Sequence, residues 1–85
     1  MVEHKEKLSS IRIKTLREKK GLNMKEAAVQ LQLPYTTYRN YEQGLREPNS
    51  ETLIQIANFY NTSIDYLLGR SDKQTDETNN TIFDI

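Results

Sequence analysis

Cysteine is absent from the 85 residues of this chain. That excludes a disulfide framework and a thiolate metal site, and it fits a reducing cytoplasm. Histidine occurs once, as His4, in an N-terminal stretch expected to fray. One imidazole without cysteine or clustered carboxylates assembles neither a zinc site nor an acid–base relay. Catalytic residues, metal ligands and cofactors are therefore not expected. Glycine is scarce: Gly21, Gly44 and Gly69 stand alone, so no glycine-rich phosphate loop can form. No apolar run approaches the ~18 residues of a membrane span. The opening Met1-Val2-Glu3-His4-Lys5-Glu6-Lys7 is charged and leads into no apolar core of a secretory signal. Neither an internal repeat nor a strand-like alternation is visible. What remains is one small domain with one modest core.

Charge of one sign is scarce only in places. The formal net charge is zero, with 12 basic and 12 acidic residues. From His4 to Arg46, ten Lys/Arg face four Asp/Glu, a balance of +6. From Glu47 to Ile85, seven acids face two bases, a balance of −5. A basic half is the footprint of a phosphate-facing surface.

Five helical segments can be read from apolar spacing and punctuation. Ile13 and Leu16 mark a first helix, with Ser9 or Ser10 as its cap, running to about Lys20 and stopped by Gly21. Asn23 is the expected N-cap of a second helix, paired with Glu26 three residues on. Ala27, Ala28 and Leu31 form its inner face, Gln32 lies in a turn and Leu33 closes the turn inward. Pro34 starts a third helix, where its fixed φ and missing N–H cost little. Tyr38 and Tyr41 face the core, which leaves Tyr35, Thr36, Arg39, Asn40 and Gln43 on the other side. Gly44 ends this helix. Asn49 or Ser50 caps a fourth helix to about Tyr60, with Leu53, Ile56, Ala57 and Tyr60 as its buried stripe. Asn61 takes the left-handed stop. Ser63 caps a short fifth helix, Ile64 to Leu68, before Gly69. The expected boundaries are a flexible extension at 1–8, a folded domain at 9–69 and a polar tail or linker at 70–85. That tail ends in the apolar Ile82-Phe83-Asp84-Ile85.

Two short helices joined by a tight turn, spanning about 22–43, have the form of a helix-turn-helix, which lays its second helix in the DNA major groove. The chain resembles the phage-repressor and Cro type of this domain, also called the xenobiotic-response-element (XRE) type. The residues that carry the resemblance are Arg12-Ile13-Lys14-Thr15-Leu16-Arg17, Gly21-Leu22, Glu26-Ala27-Ala28, Leu31, Tyr41-Glu42-Gln43-Gly44 and Arg46-Glu47-Pro48. Thr52-Leu53-Ile54-Gln55-Ile56-Ala57 and Ser63-Ile64-Asp65-Tyr66-Leu67-Leu68-Gly69 extend it over most of the chain. It implies an all-α, five-helix, lambda-repressor-like domain that binds a palindromic operator as a homodimer. It further implies a transcriptional regulator, expected to be a repressor of a prophage, mobile element or bacterium, in the cytoplasm at the nucleoid. It also implies a buried ion pair between Arg17 and Glu42. The same fold serves in antitoxins, so a protein partner held by the tail 70–85 is the alternative expectation.

Base reading is expected from Tyr35, Thr36, Arg39 and Asn40. The planar amide of Asn40 matches adenine N6 and N7, and the guanidinium of Arg39 matches guanine O6 and N7. Thr36 brings a hydroxyl and a methyl; Tyr35 brings a ring and a hydroxyl. Arg12, Met24, Lys25, Thr37, Gln43 and Arg46 are expected along the DNA backbone, where contacts position the domain without reading sequence. The chain departs from the family's usual residues at several points. Met24 replaces a Gln, Gln32 a Gly in the turn, and Pro34 a Ser or Thr cap. Ala27 and Tyr38 exchange small for large and large for small, which can conserve core volume.

Overall fold

The computed structural model describes residues 7–73. Five α-helices follow in order: α1 (Leu8–Lys19), α2 (Met24–Leu31), α3 (Tyr35–Gln43), α4 (Ser50–Phe59) and α5 (Ile64–Leu68). No strand occurs among the described residues. Helix α1 packs on α3 and α5, α2 packs on α3 and α4, and α4 packs on α5. The core they enclose is built on Ile13, Leu31, Tyr38, Ile56 and Leu67, all closed to solvent. Ala27 and Tyr38, the exchanged small and large residues, are both fully buried. The apolar end of the tail, the remainder of the tail beyond Lys73, and His4 lie outside the described residues.

Local chemistry sets most helix boundaries. Asn23 accepts from the Glu26 amide at 2.7 Å while Glu26 accepts from the Asn23 amide at 2.8 Å, a reciprocal capping box. Asn49 and Ser63 cap α4 and α5 in the same one-sided way, accepting from the amides of Thr52 and Tyr66. Pro34 stands one position ahead of α3 and gives no side-chain cap. The first helix departs from expectation at its start. It begins at Leu8, with Lys7 in the cap position and no side-chain cap. Ser10 instead lies within α1, 2% exposed, and its hydroxyl donates to the Tyr41 carbonyl at 2.7 Å. A long-range partner on α3 has displaced the local role that serine commonly takes.

All five helices end alike. Gly21, Gln32, Gly44, Asn61 and Gly69 adopt positive φ. The next residue in each case donates its amide to the carbonyl five positions back, as Leu33 does to Ala28 at 2.9 Å. Gln32 is the costly member, because in the left-handed region its Cβ crowds the following carbonyl oxygen, a strain of roughly 1–2 kcal/mol. Two groups hold it there: the Leu33 amide just described, and the Gln55 side chain of α4, which donates to the Leu31 carbonyl at 2.8 Å. The turn therefore keeps the left-handed geometry that a glycine would supply, stabilised from outside the motif.

Candidate nucleic-acid interface

The turn at Gln32 sets α2 against α3, and a buried ion pair then fixes α3 against α1. Arg17 Nε donates to one Glu42 oxygen at 2.6 Å and Arg17 Nη2 to the other at 3.1 Å, a bidentate pair. The two side chains are 11% and 3% exposed. Arg17 Nη1 also donates to the Leu22 carbonyl at 2.8 Å, so the guanidinium ties α1, its C-terminal turn and α3 together. Its hydrogen bonds to Glu42 raise the Arg17 pKa above the ordinary value, against the opposing effect of burial. Beside the pair, the Tyr38 and Tyr60 hydroxyls meet at 2.6 Å. Burial is the main cause raising both phenols, Tyr60 to about 12 and Tyr38 further still.

With its inner face held by Tyr38, Tyr41 and Glu42, α3 turns Tyr35, Thr36, Arg39 and Asn40 outward. Tyr35 is 44% exposed, Thr36 is exposed, and Arg39 and Asn40 are partly buried. None of these four side chains has a hydrogen-bonding or ionic partner among the described residues. They form one polar surface with no internal commitment.

The residues expected along a DNA backbone separate into two groups. Lys25, Gln43 and Arg46 are exposed around α3, and Thr37 is partly buried on it. Met24 is partly buried, packed against the core at the start of α2. It lines a groove of about 580 Å³ between α1 and the helix-turn-helix, together with Lys14, Arg17, Glu42 and Gln43. Arg12 is held by internal partners. Its guanidinium donates to the carbonyls of Tyr66 and, at 2.9 Å, Ser71, and lies 4.0 Å from the centre of the Tyr66 ring. Only 16% of that side chain remains exposed. The Tyr66 carbonyl in α5, the Ser71 carbonyl just beyond it and the tyrosine face attract the cation together, so Arg12 clasps α1 to α5.

Sequence spacing could not separate Arg12 from Arg17, since each is an arginine on α1 and the distinction lies in partners 25 to 59 positions away. Ser10 and Gln55 were missed for the same reason. Lys7 is taken by Glu47 at 3.0 Å and Lys20 lies 5.2 Å from the Phe59 ring. Lys14, Lys25, Arg39 and Arg46 keep their cations without an ionic partner among the described residues. No group of His, Asp or Glu among the described residues is close enough to hold a metal ion.

A profile described as helix-turn-helix matches residues 13–67, well over half of the chain. The chain belongs to the helix-turn-helix family. Within that family it is 41% identical over 75 residues to the HTH-type transcriptional regulator ImmR of Bacillus subtilis (strain 168), a match covering 84% of this chain and 59% of that protein. It is 40% identical over 65 residues to the HTH-type transcriptional regulator AnsR of the same organism, covering 75% of this chain and 56% of that one. The cryptic phage CTXphi transcriptional repressor RstR of Vibrio cholerae is 35% identical over 68 residues, covering 80% and 61%. This helix-turn-helix chain thus spans little more than half the length of these relatives. No described helix is long and apolar enough to cross a membrane.

Proposed function

We propose that the chain binds double-stranded DNA of defined sequence and regulates transcription as a repressor, with α3 in the major groove. The observation that carries this reading is the outward face of α3. Tyr35, Thr36, Arg39 and Asn40 project from one short helix, uncommitted to any internal partner, while Tyr38 and Glu42 on the opposite face are engaged. Planar amide and guanidinium groups left free in this way match base edges, and Lys25, Gln43 and Arg46 flank them as phosphate contacts. The names of the relatives support regulation, and that of the phage repressor supports repression in particular. A homodimer on a palindromic operator completes the proposal, with half-sites about 10 bp apart or a multiple of that.

Selection of duplexes from a random pool tests it. The expected result is a two-fold symmetric consensus bound by two chains, read as the mass of the complex. Equal retention of every duplex at low salt would end the sequence-specific reading, and a one-to-one complex would end the dimer. The alternative, a protein partner held by the tail 70–85, rests on a segment of which residues 74–85 lie outside the described residues.

A further inference from the structure

Helices α2 and α3 both begin at one place on the surface. Met24 is the first residue of α2 and Tyr35 the first of α3. Between them lies a cleft of about 530 Å³ lined by Asn23, Met24, Lys25 and Tyr35. The capping box occupies the Asn23 side-chain oxygen Oδ1 and the Glu26 carboxylate with each other's backbone amides. The apolar part of that lining is the Met24 chain and the Tyr35 ring, with Lys25 beside them. Met24 is anchored from behind by the core, so its wall is held in place. Tyr35 belongs to both this cleft and α3, the helix that carries Thr36, Arg39 and Asn40.

The major groove carries one apolar group, the C5-methyl of thymine; the other base edges there present hydrogen-bonding atoms. Covering such atoms with a thioether and a ring would leave them without partners, at a cost. A methyl is the group this cleft can cover without that cost. We infer that the Met24–Tyr35 cleft is a subsite for the C5-methyl of a pyrimidine in the operator, which makes Met24 a base-reading residue and not a backbone contact. This rests on the reading of α3 as the groove helix. Thymine supplies the methyl in unmodified DNA; 5-methylcytosine carries the same group on the same ring atom.

The test uses the full 85-residue chain and the duplex obtained by selection. Each thymine of a half-site is replaced in turn by deoxyuridine, which removes the methyl and keeps the pairing. One position should lose about four-fold in affinity, the worth of one buried methyl. The loss should shrink to under about two-fold in Met24→Ala and in Tyr35→Ala, with thermal melts confirming that each variant is folded. At that position, cytosine should bind weakly and 5-methylcytosine should recover affinity if the methyl alone is read. Recovery absent with 5-methylcytosine but deoxyuridine loss present would assign the subsite to thymine only. Indifference to every deoxyuridine overturns the subsite while operator binding stands. A deoxyuridine loss that persists in both variants and disappears in Thr36→Ser also overturns it, by placing the methyl on Thr36. Failure to select any duplex removes the operator reading itself, and the subsite with it.

Discussion

Helix α3 carries three tyrosines, and the fold sends them to opposite ends of its economy. Tyr38 is fully buried and Tyr41 is 5% exposed, whereas Tyr35 is 44% exposed. On the inner face polar groups are paired: Glu42 holds Arg17, the Tyr38 hydroxyl meets that of Tyr60, and the Tyr41 carbonyl receives the Ser10 hydroxyl. On the outer face the polar side chains have none. The contrast separates two uses of the same chemistry. Satisfied polar groups in a dry interior specify one arrangement of the helix, while unsatisfied ones facing water remain available to a ligand. Rigidity on one face is what aims the other.

That contrast can be broken from the inside or the outside, with different readouts. The largest effect is expected at Glu42. Glu42→Ala leaves the Arg17 cation covered and unpaired, so unfolding free energy should fall by about 3–5 kcal/mol. A loss under about 1 kcal/mol in a denaturant titration would show the pair to be effectively solvated. Alkali attacks the same face. A phenol raised to about 12 by burial stays protonated in the fold at pH values where the unfolded chain, near 10, has released its proton. The stability it contributes is therefore whole below pH 10 and lost as pH rises through 12, about 3 kcal/mol for two units. The melting temperature should fall over that window, and Tyr60→Phe should flatten the fall; an unchanged slope would exclude this phenol as the cause.

The outer face should answer in binding and not in stability. Asn40→Ala is expected to cost about 1–3 kcal/mol of discrimination at one base position, with thermal stability unaltered. Equal losses on the selected and on random duplexes would count against a base-reading amide. The smallest effect belongs to Arg46. Arg46→Ala should weaken binding to all duplexes alike and reduce the slope of log affinity against log salt by about 0.9. A loss confined to one sequence would make Arg46 a reader of bases.

The helix boundaries were legible wherever one residue and its near neighbours decide them. Asn23, Asn49 and Ser63 cap as their positions suggest, because the bond they make spans three residues. The glycine stops and Asn61 follow from backbone sterics alone. Gln32 shows where that reasoning thins, since its positive φ is tolerated through Gln55 on another helix. Ser10 shows where it fails. A serine at the start of a helix reads as a cap, and only the arrival of α3 turns it into a donor for Tyr41. The candidate interface divides in the same manner. The 3.6-residue period sorts α3 into inner and outer faces, which placed Tyr35, Thr36, Arg39 and Asn40 together. It says nothing of Met24 beside Tyr35, because that cleft is made by two helix starts meeting across a turn.

By itself, then, the amino-acid sequence determined the number of helices in the described residues, where each begins and ends to within two or three residues, and which side of each is apolar. These depend on backbone geometry and on neighbours within a turn. Beyond the Arg17–Glu42 pair that the family resemblance implied, the tertiary structure alone decided how the cations of the basic half are spent: Arg12 on the end of α5, Lys7 on Glu47, and Lys14, Lys25, Arg39 and Arg46 without an ionic partner among the described residues. A charge acquires its role from what lies within a few ångströms of it, and that is settled only when distant parts of the chain pack together.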